Sequence, residues 1–157
     1  MILPVIGLGL IAVWYGLHPA PSGTKQEQEE QIEEAALVRE LQEKDGALIP
    51  RTIYIKVNGS DATPSLVARL TRHNIVLRPQ SETSTIKKGI ESVVIENKTG
   101  TFSSVFEINP IVWDSSFSAT VSVSTFSASL CAGGSDYQVT WNGREWVADR
   151  GEVTWVS

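Results

Sequence analysis

Asn142-Gly143 is the feature that most narrows what this chain can become. It stands between two runs, Tyr137-Gln-Val-Thr-Trp141 and Arg144-Glu-Trp-Val-Ala-Asp149, that alternate and are rich in aromatic and β-branched residues. Asn and Gly best tolerate the positive φ that both central residues of a type I′ turn require, so the pattern predicts a β-hairpin with a two-residue loop. That loop sets a register: Trp141 opposite Arg144, Val139 opposite Trp146, and Tyr137 opposite Ala148. Side chains alternate with a period of two, so these six share one face, and Gln138, Thr140, Glu145, Val147 and Asp149 take the other. Arg144 is then placed to stack on the Trp141 indole, worth roughly 0.5–1 kcal/mol at an exposed site. Tyr137, Trp141 and Trp146 have two readings, a core face or the wall of a pocket for an apolar or sugar-like ligand. Core packing is the commoner fate of such a face, although aromatic side chains line both.

Residues 1–17 carry no charged side chain. A spanning helix needs roughly 20 apolar residues, so the run is short for one, yet it is long for a buried core helix. Trp14 and Tyr15 fall near its end, where an interfacial aromatic belt sits. A cleaved signal peptide wants a basic start and a small-x-small cleavage site. No Lys or Arg precedes Lys25, and prolines interrupt His18-Pro-Ala-Pro-Ser-Gly23. An uncleaved membrane anchor is therefore favoured over a cleaved signal, with a buried apolar N-terminus as the third reading. Residues 18–24 read as a linker.

Thr24 and Glu27 have the spacing of a capping box, which predicts a helix over residues 25–46. Acidic residues crowd its first half, where the helix dipole favours anions. Ile32, Ala35, Ala36, Leu37, Val38 and Leu41 form an apolar stripe that is tightest in the second half. The pattern predicts a solvated first half and a docked second half, with a partner-binding stalk as the alternative.

Residues 47–157 read as a globular α+β domain. Thr52–Val57 alternates as a strand, and Asn58-Gly59 turns the chain. Thr63 caps a short helix that opens on Pro64 and runs to about Arg72, with Leu66, Val67 and Leu70 inward. Arg69, Arg72 and His73 lie together on another face. They are a candidate anion site, although three solvated cations at a helix end are commoner. Ile75–Leu77 is a short apolar run, residues 80–89 are loop-like, Ser92–Glu96 is a strand, and Thr101–Asn109 returns from a turn at 97–100. The long strand from Phe117 to Leu130 changes phase near Ser124-Thr125, where a β-bulge brings both apolar sets to the core side. Val153–Trp155 closes the chain. The order predicts a helix, a strand, a short helix and then five or six antiparallel strands joined by short turns, with the helices packed on one face of a curved antiparallel sheet.

Charge excludes some functions. The net charge of −5 is concentrated between Lys25 and Asp45, with eight acidic and three basic residues; from Gly46 onward there are ten of each. A neutral body without a basic stripe argues against nucleic-acid binding. The single cysteine, Cys131, excludes an internal disulfide, and with only His18 and His73 beside it a structural zinc site is excluded too. Neither a phosphate-binding glycine loop nor a nucleophile elbow is present. No metal, cofactor or catalytic residue is assigned. Cys131 has no neighbouring cation to lower its pKa and reads as a free thiol rather than a nucleophile. The remaining enzyme reading pairs His73 with Asp61 or Asp114 for acid–base chemistry.

Several segments in order carry a likeness: Val57-Asn-Gly59 before Pro64–Leu70, Pro110–Trp113, Ser129–Gly133, Tyr137-Gln-Val with Asn142–Val147, and Val153–Ser157. From about Thr52 onward the chain resembles a group of uncharacterised bacterial envelope proteins. Members often carry a further cysteine in a Ser-Glu-Cys context, where this chain has Ser81-Glu82-Thr83. If that cysteine pairs with the counterpart of Cys131, the likeness implies a bridge lost here. The curved sheet with its terminal aromatic hairpin is also similar to the cystatin-like roll of nuclear-transport-factor-type domains, an analogy of fold alone. Taken together, the expectation is a non-enzymatic domain of the cell envelope. It is anchored in the inner membrane through residues 1–17 and faces the periplasm, or it is secreted. Its partner is an envelope protein or surface component. The alternatives are a small-molecule-binding or acid–base enzyme of the roll type and an accessory subunit of a membrane assembly. The oligomeric state is left open.

Overall fold

The computed structural model describes residues 19–45, 51–129 and 131–157. The expected anchor, residues 1–17, lies outside them. Among the described residues no helix is long and apolar enough to cross a membrane.

The capping box forms as its spacing predicts. Thr24 N–H donates to Glu27 Oε2 at 2.6 Å, and Glu27 N–H donates to Thr24 Oγ1 at 3.2 Å. Helix α1 (Lys25–Asp45) follows. Its burial begins earlier than the apolar stripe suggested: Glu30, Ile32 and Glu33 are already buried, as are Ala36, Leu37, Glu40 and Leu41. The expectation of a solvated first half therefore holds only for its first turn. The reason is that α1 packs along the sheet and also against the second helix, which takes up the acidic half.

Strand β1 (Arg51–Val57) ends in the Asn58-Gly59 turn, where both residues have positive φ, 51° and 81°, and Val57 and Ser60 exchange backbone hydrogen bonds of 2.7 and 2.9 Å. Helix α2 (Pro64–Thr71) begins at Thr63, whose Oγ1 accepts from Leu66 N–H at 3.1 Å, and it buries Leu66 and Leu70. Strand β2 (Ile75–Pro79) then runs parallel to β1, completing a β-α-β crossover. Strands β3 (Thr83–Lys88) and β4 (Glu91–Glu96) form a hairpin. The first of these corrects the loop expected over 80–89. Its polar Thr and Lys side chains are compatible with a strand exposed along most of its length, and Gly89, with φ of 68°, makes the turn.

Strands β5 (Val105–Ile108), β6 (Val112–Ser115), β7 (Ser118–Ala128), β8 (Cys131–Trp141), β9 (Trp146–Ala148) and β10 (Glu152–Val156) complete the chain. The main path across the sheet is β10-β8-β7-β5-β1-β2. Among the described residues, two helices on a curved, mostly antiparallel sheet give the expected α+β class. Ten strands form among those residues, where the order predicts one before the short helix and five or six after it, and β1 pairs in parallel with both β2 and β5. The parallel pairs depend on connections that carry the chain back across the sheet before it pairs, which a reading of consecutive strands as hairpins misses.

Two further expectations are corrected. The terminal hairpin pairs Trp141 with Trp146 and Val139 with Ala148, around a four-residue loop that includes Arg144. Asn142 Oδ1 accepts from both Arg144 N–H and Glu145 N–H at 2.9 Å, and only Gly143 has positive φ, 96°. The Asn side chain thus builds a wider turn than the two-residue loop, and Arg144 is removed from the strand face. The register moves by two residues, so facing is preserved. In β7 the register shifts between Phe126 and Ala128, not at Ser124-Thr125. Ala119, Val121 and Val123 reach the core, but Phe126 stays only half-buried.

Candidate functional site

The core face of β7 and β8 changes character along its length. At one end it carries Val121, Val123, Tyr137 and Val139, all buried beneath α1. Continuing with the same alternation, the positions become Thr125, Ser127, Ser135, Gly133 and Cys131. Here α1 has ended, and a concave groove of about 790 Å³ opens, bounded by β1, the segment Phe102–Phe106, and β10. Small side chains leave the space that the helix no longer fills.

A polar network closes the inner end. Glu40 is buried, pairs with Lys44 Nζ at 2.8 Å, and accepts the hydroxyl of Tyr137. Lys44 Nζ also donates to Thr125 Oγ1 at 2.6 Å. Burial, and then the Glu40 carboxylate, push the Tyr137 hydroxyl above its ordinary pKa, so the tyrosine acts as a neutral donor. The outer wall is β10. Every residue from Glu152 to Val156 is exposed, with Val153 at 65%, Trp155 at 45% and Val156 at 78%. Trp155 lies across the β8 backbone at Gly134, where a Cβ would come within 2.3 Å of its Nε1. Among the described residues β10 pairs only with β8, which makes it an edge strand of the sheet. Phe102, exposed on the opposite side, adds a second aromatic ring.

The residues singled out from sequence fall elsewhere. Tyr137, Trp141 and Trp146 are buried members of the core. Trp146 meets Trp141 and Trp113 edge-on, each at 5.8 Å between centroids, and Trp141 Nε1–H donates to the Pro19 carbonyl at 2.7 Å. Arg69, Arg72 and His73 come together, as helical spacing implies, and the anion they face is the protein's own Glu34, at 3.6, 3.8 and 2.8 Å. His73 therefore meets neither of the carboxylates considered for an acid–base pair: Asp61 accepts from Ser81, and Asp114 accepts from Thr120 and Gln138. Cys131 is exposed in the first groove, and the strands bearing it and Thr83, β8 and β3, are separated by β4 and β7. No group of three or more metal-ligating side chains converges among the described residues.

The groove was missed because no single residue in it is distinctive. A signal was present nonetheless: the loss of large apolar residues at core parity beyond Val123 and Tyr137, in strands that continue for several residues.

In comparison with known proteins, no family model, no curated protein and no solved structure matches the chain.

Proposed function

We propose that the chain is a non-catalytic domain of the bacterial cell envelope, held at the membrane through residues 1–17 or exported, that binds an extended segment of a partner protein along β10. The observation that carries this reading is the outer strand itself. It exposes Val153, Trp155 and Val156 together with an edge of backbone N–H and C=O groups that no described strand pairs, and it adjoins a groove of about 790 Å³. An exposed apolar edge strand is a template for another strand, so soluble proteins usually blunt it with charge or proline. Here Glu152 is the only charged residue of the strand. Backbone pairing would supply affinity, and the groove would select side chains at alternate positions of the bound segment. The envelope placement rests on the uncharged N-terminal run and on the likeness to envelope proteins.

The test uses the full chain in a neutral detergent and a displayed library of random linear peptides. Selected binders are expected to shift the amide resonances of Glu152–Val156 and of Phe102–Ser104, and to lose affinity when Val153→Lys and Trp155→Ser are introduced together. Binders that shift only other surfaces, or that ignore the double substitution, overturn the proposal. Concentration-dependent self-association through β10 would replace the partner with a second copy of the chain.

A further inference from the structure

A second groove, of about 650 Å³, runs between the outer side of α1, the C-terminal end of α2, and the β8–β9 loop. Arg39, Arg69, Arg72 and Arg144 line it together with His73. These are four of the chain's seven arginines, and none of its six lysines is there. The choice matters chemically. A guanidinium presents a planar fork of donors that matches an oxyanion, whereas an ammonium acts as a point charge.

Their donors are poorly used. Arg69 lies 3.6 Å from Glu34 and 3.7 Å from Glu30, close enough for charge attraction but too far for a hydrogen bond. Its Nε is buried with no acceptor, as are Trp146 Nε1 on the same groove wall and, on the acceptor side, Glu30 Oε2. Arg72 reaches Glu34 only at 3.8 Å and donates one long bond, 3.4 Å, to the Arg69 carbonyl. The Arg144 side chain stands on the exposed loop with no ion pair to a described residue. Arg39 is the exception, bound to Glu43 at 2.8 Å. Two carboxylates, Glu34 and Glu145, line the groove against these cations. His73 does bond Glu34, at 2.8 Å, which leaves that carboxylate shared among three basic side chains. Buried donors are ordinarily satisfied, so Arg69 and Arg72, which meet their carboxylates without hydrogen-bonding them, have capacity for another acceptor.

We infer that this groove binds an oxyanion of the phosphate type, held between the guanidinium groups of Arg69, Arg72 and Arg144. Inorganic phosphate and a lipid headgroup share that chemistry. The groove also lies where the chain enters the domain: Trp141, in edge contact with Trp146, holds the Pro19 carbonyl. The inference uses a different surface from the β10 edge and stands or falls separately from it.

The experiment follows the arginine Nε–H and the Trp146 indole N–H signals of the full chain in neutral detergent. The titrants are inorganic phosphate, the short-chain lipids dihexanoylphosphatidylglycerol and dihexanoylphosphatidylcholine, and chloride at matched ionic strength. A saturable shift with inorganic phosphate supports the site and identifies a free oxyanion. A saturable shift with phosphatidylglycerol alone supports it and identifies an anionic headgroup. In either case Arg72→Gln with Arg144→Gln, both exposed and outside the core, is expected to weaken binding about tenfold or more, as loss of a charge-assisted hydrogen bond does. No saturable shift with any phosphate, an equal response to chloride, or unchanged affinity in the double variant with an otherwise native spectrum overturns the inference.

Discussion

Tyr137 donates its hydroxyl to Glu40 across 97 residues of sequence, tying the centre of β8 to the C-terminal half of α1. Both are buried, and Lys44 and Thr125 complete the surroundings of the carboxylate. Removing the hydroxyl leaves Glu40 short of a donor while keeping the ring in the core. Tyr137→Phe is expected to cost roughly 1.5–3 kcal/mol, the range for hydrogen bonds to charged groups. Urea unfolding followed by circular dichroism measures it, and a loss below about 0.5 kcal/mol would show that water replaces the contact without cost.

Gly151 presses on the same tyrosine. A Cβ there would stand 2.6 Å from Tyr137 Cζ and 2.7 Å from its Cε1 and Oη. The ring is confined in the core, so the backbone at Gly151 must move away, weakening its N–H bond to the Glu43 carboxylate at 3.1 Å. Gly151→Ala is expected to destabilise by about 1–3 kcal/mol through overpacking. A double-mutant cycle with Tyr137→Phe should show coupling, because the two share contact atoms. Strict additivity would mean that the clash is relieved elsewhere.

Glu33 is a buried carboxyl on the same helix, 6% exposed. Burial first, and then the neighbouring Glu29 and Glu30 charges, raise its pKa from 4.5 to about 7. Between those values the folded state holds a proton that the unfolded chain has released. This contribution to stability is therefore full below about pH 4.5, falls as pH rises toward 7, and is gone above it. The interval corresponds to roughly 3 kcal/mol. Glu33→Gln mimics the protonated form, so it should stabilise the protein at pH 8 and change little at pH 4.5. Thermal unfolding at the two pH values tests this, and equal effects at both would reject a buried neutral Glu33.

Gly134 gives Trp155 its seat, and any Cβ there would collide with the indole. Gly134→Ala is expected to displace Trp155 from the groove wall, detected as a change in tryptophan emission. It should weaken selected peptides about tenfold or more, since a well-packed tryptophan commonly contributes over 1 kcal/mol at an interface. Intact peptide affinity with a displaced indole would remove Trp155 from the binding surface.

Much of the local structure could be read from residue order. The Thr24–Glu27 box, the Thr63 cap and the Asn58-Gly59 turn involve groups a few residues apart, and their stereochemistry is nearly independent of the rest of the chain. The alternation that put Tyr137, Val139, Trp141 and Trp146 on one face also survived, because a two-residue shift in register leaves facing unchanged.

Long-range placement was decided by packing. Nothing near Glu34 in sequence announces Arg69, Arg72 and His73; the α1–α2 contact brings them within 3.8 Å. Glu40 looks like one of many acidic residues until Tyr137 reaches it from the sheet. The parallel pairing of β1 with β2 and β5 depends on how intervening segments cross the sheet. The first groove exists because α1 ends before β7 and β8 do, so a concave face of small residues is left uncovered. Caps, turns and alternation are settled by groups close along the chain, whereas a groove is the space between elements that meet only in the fold.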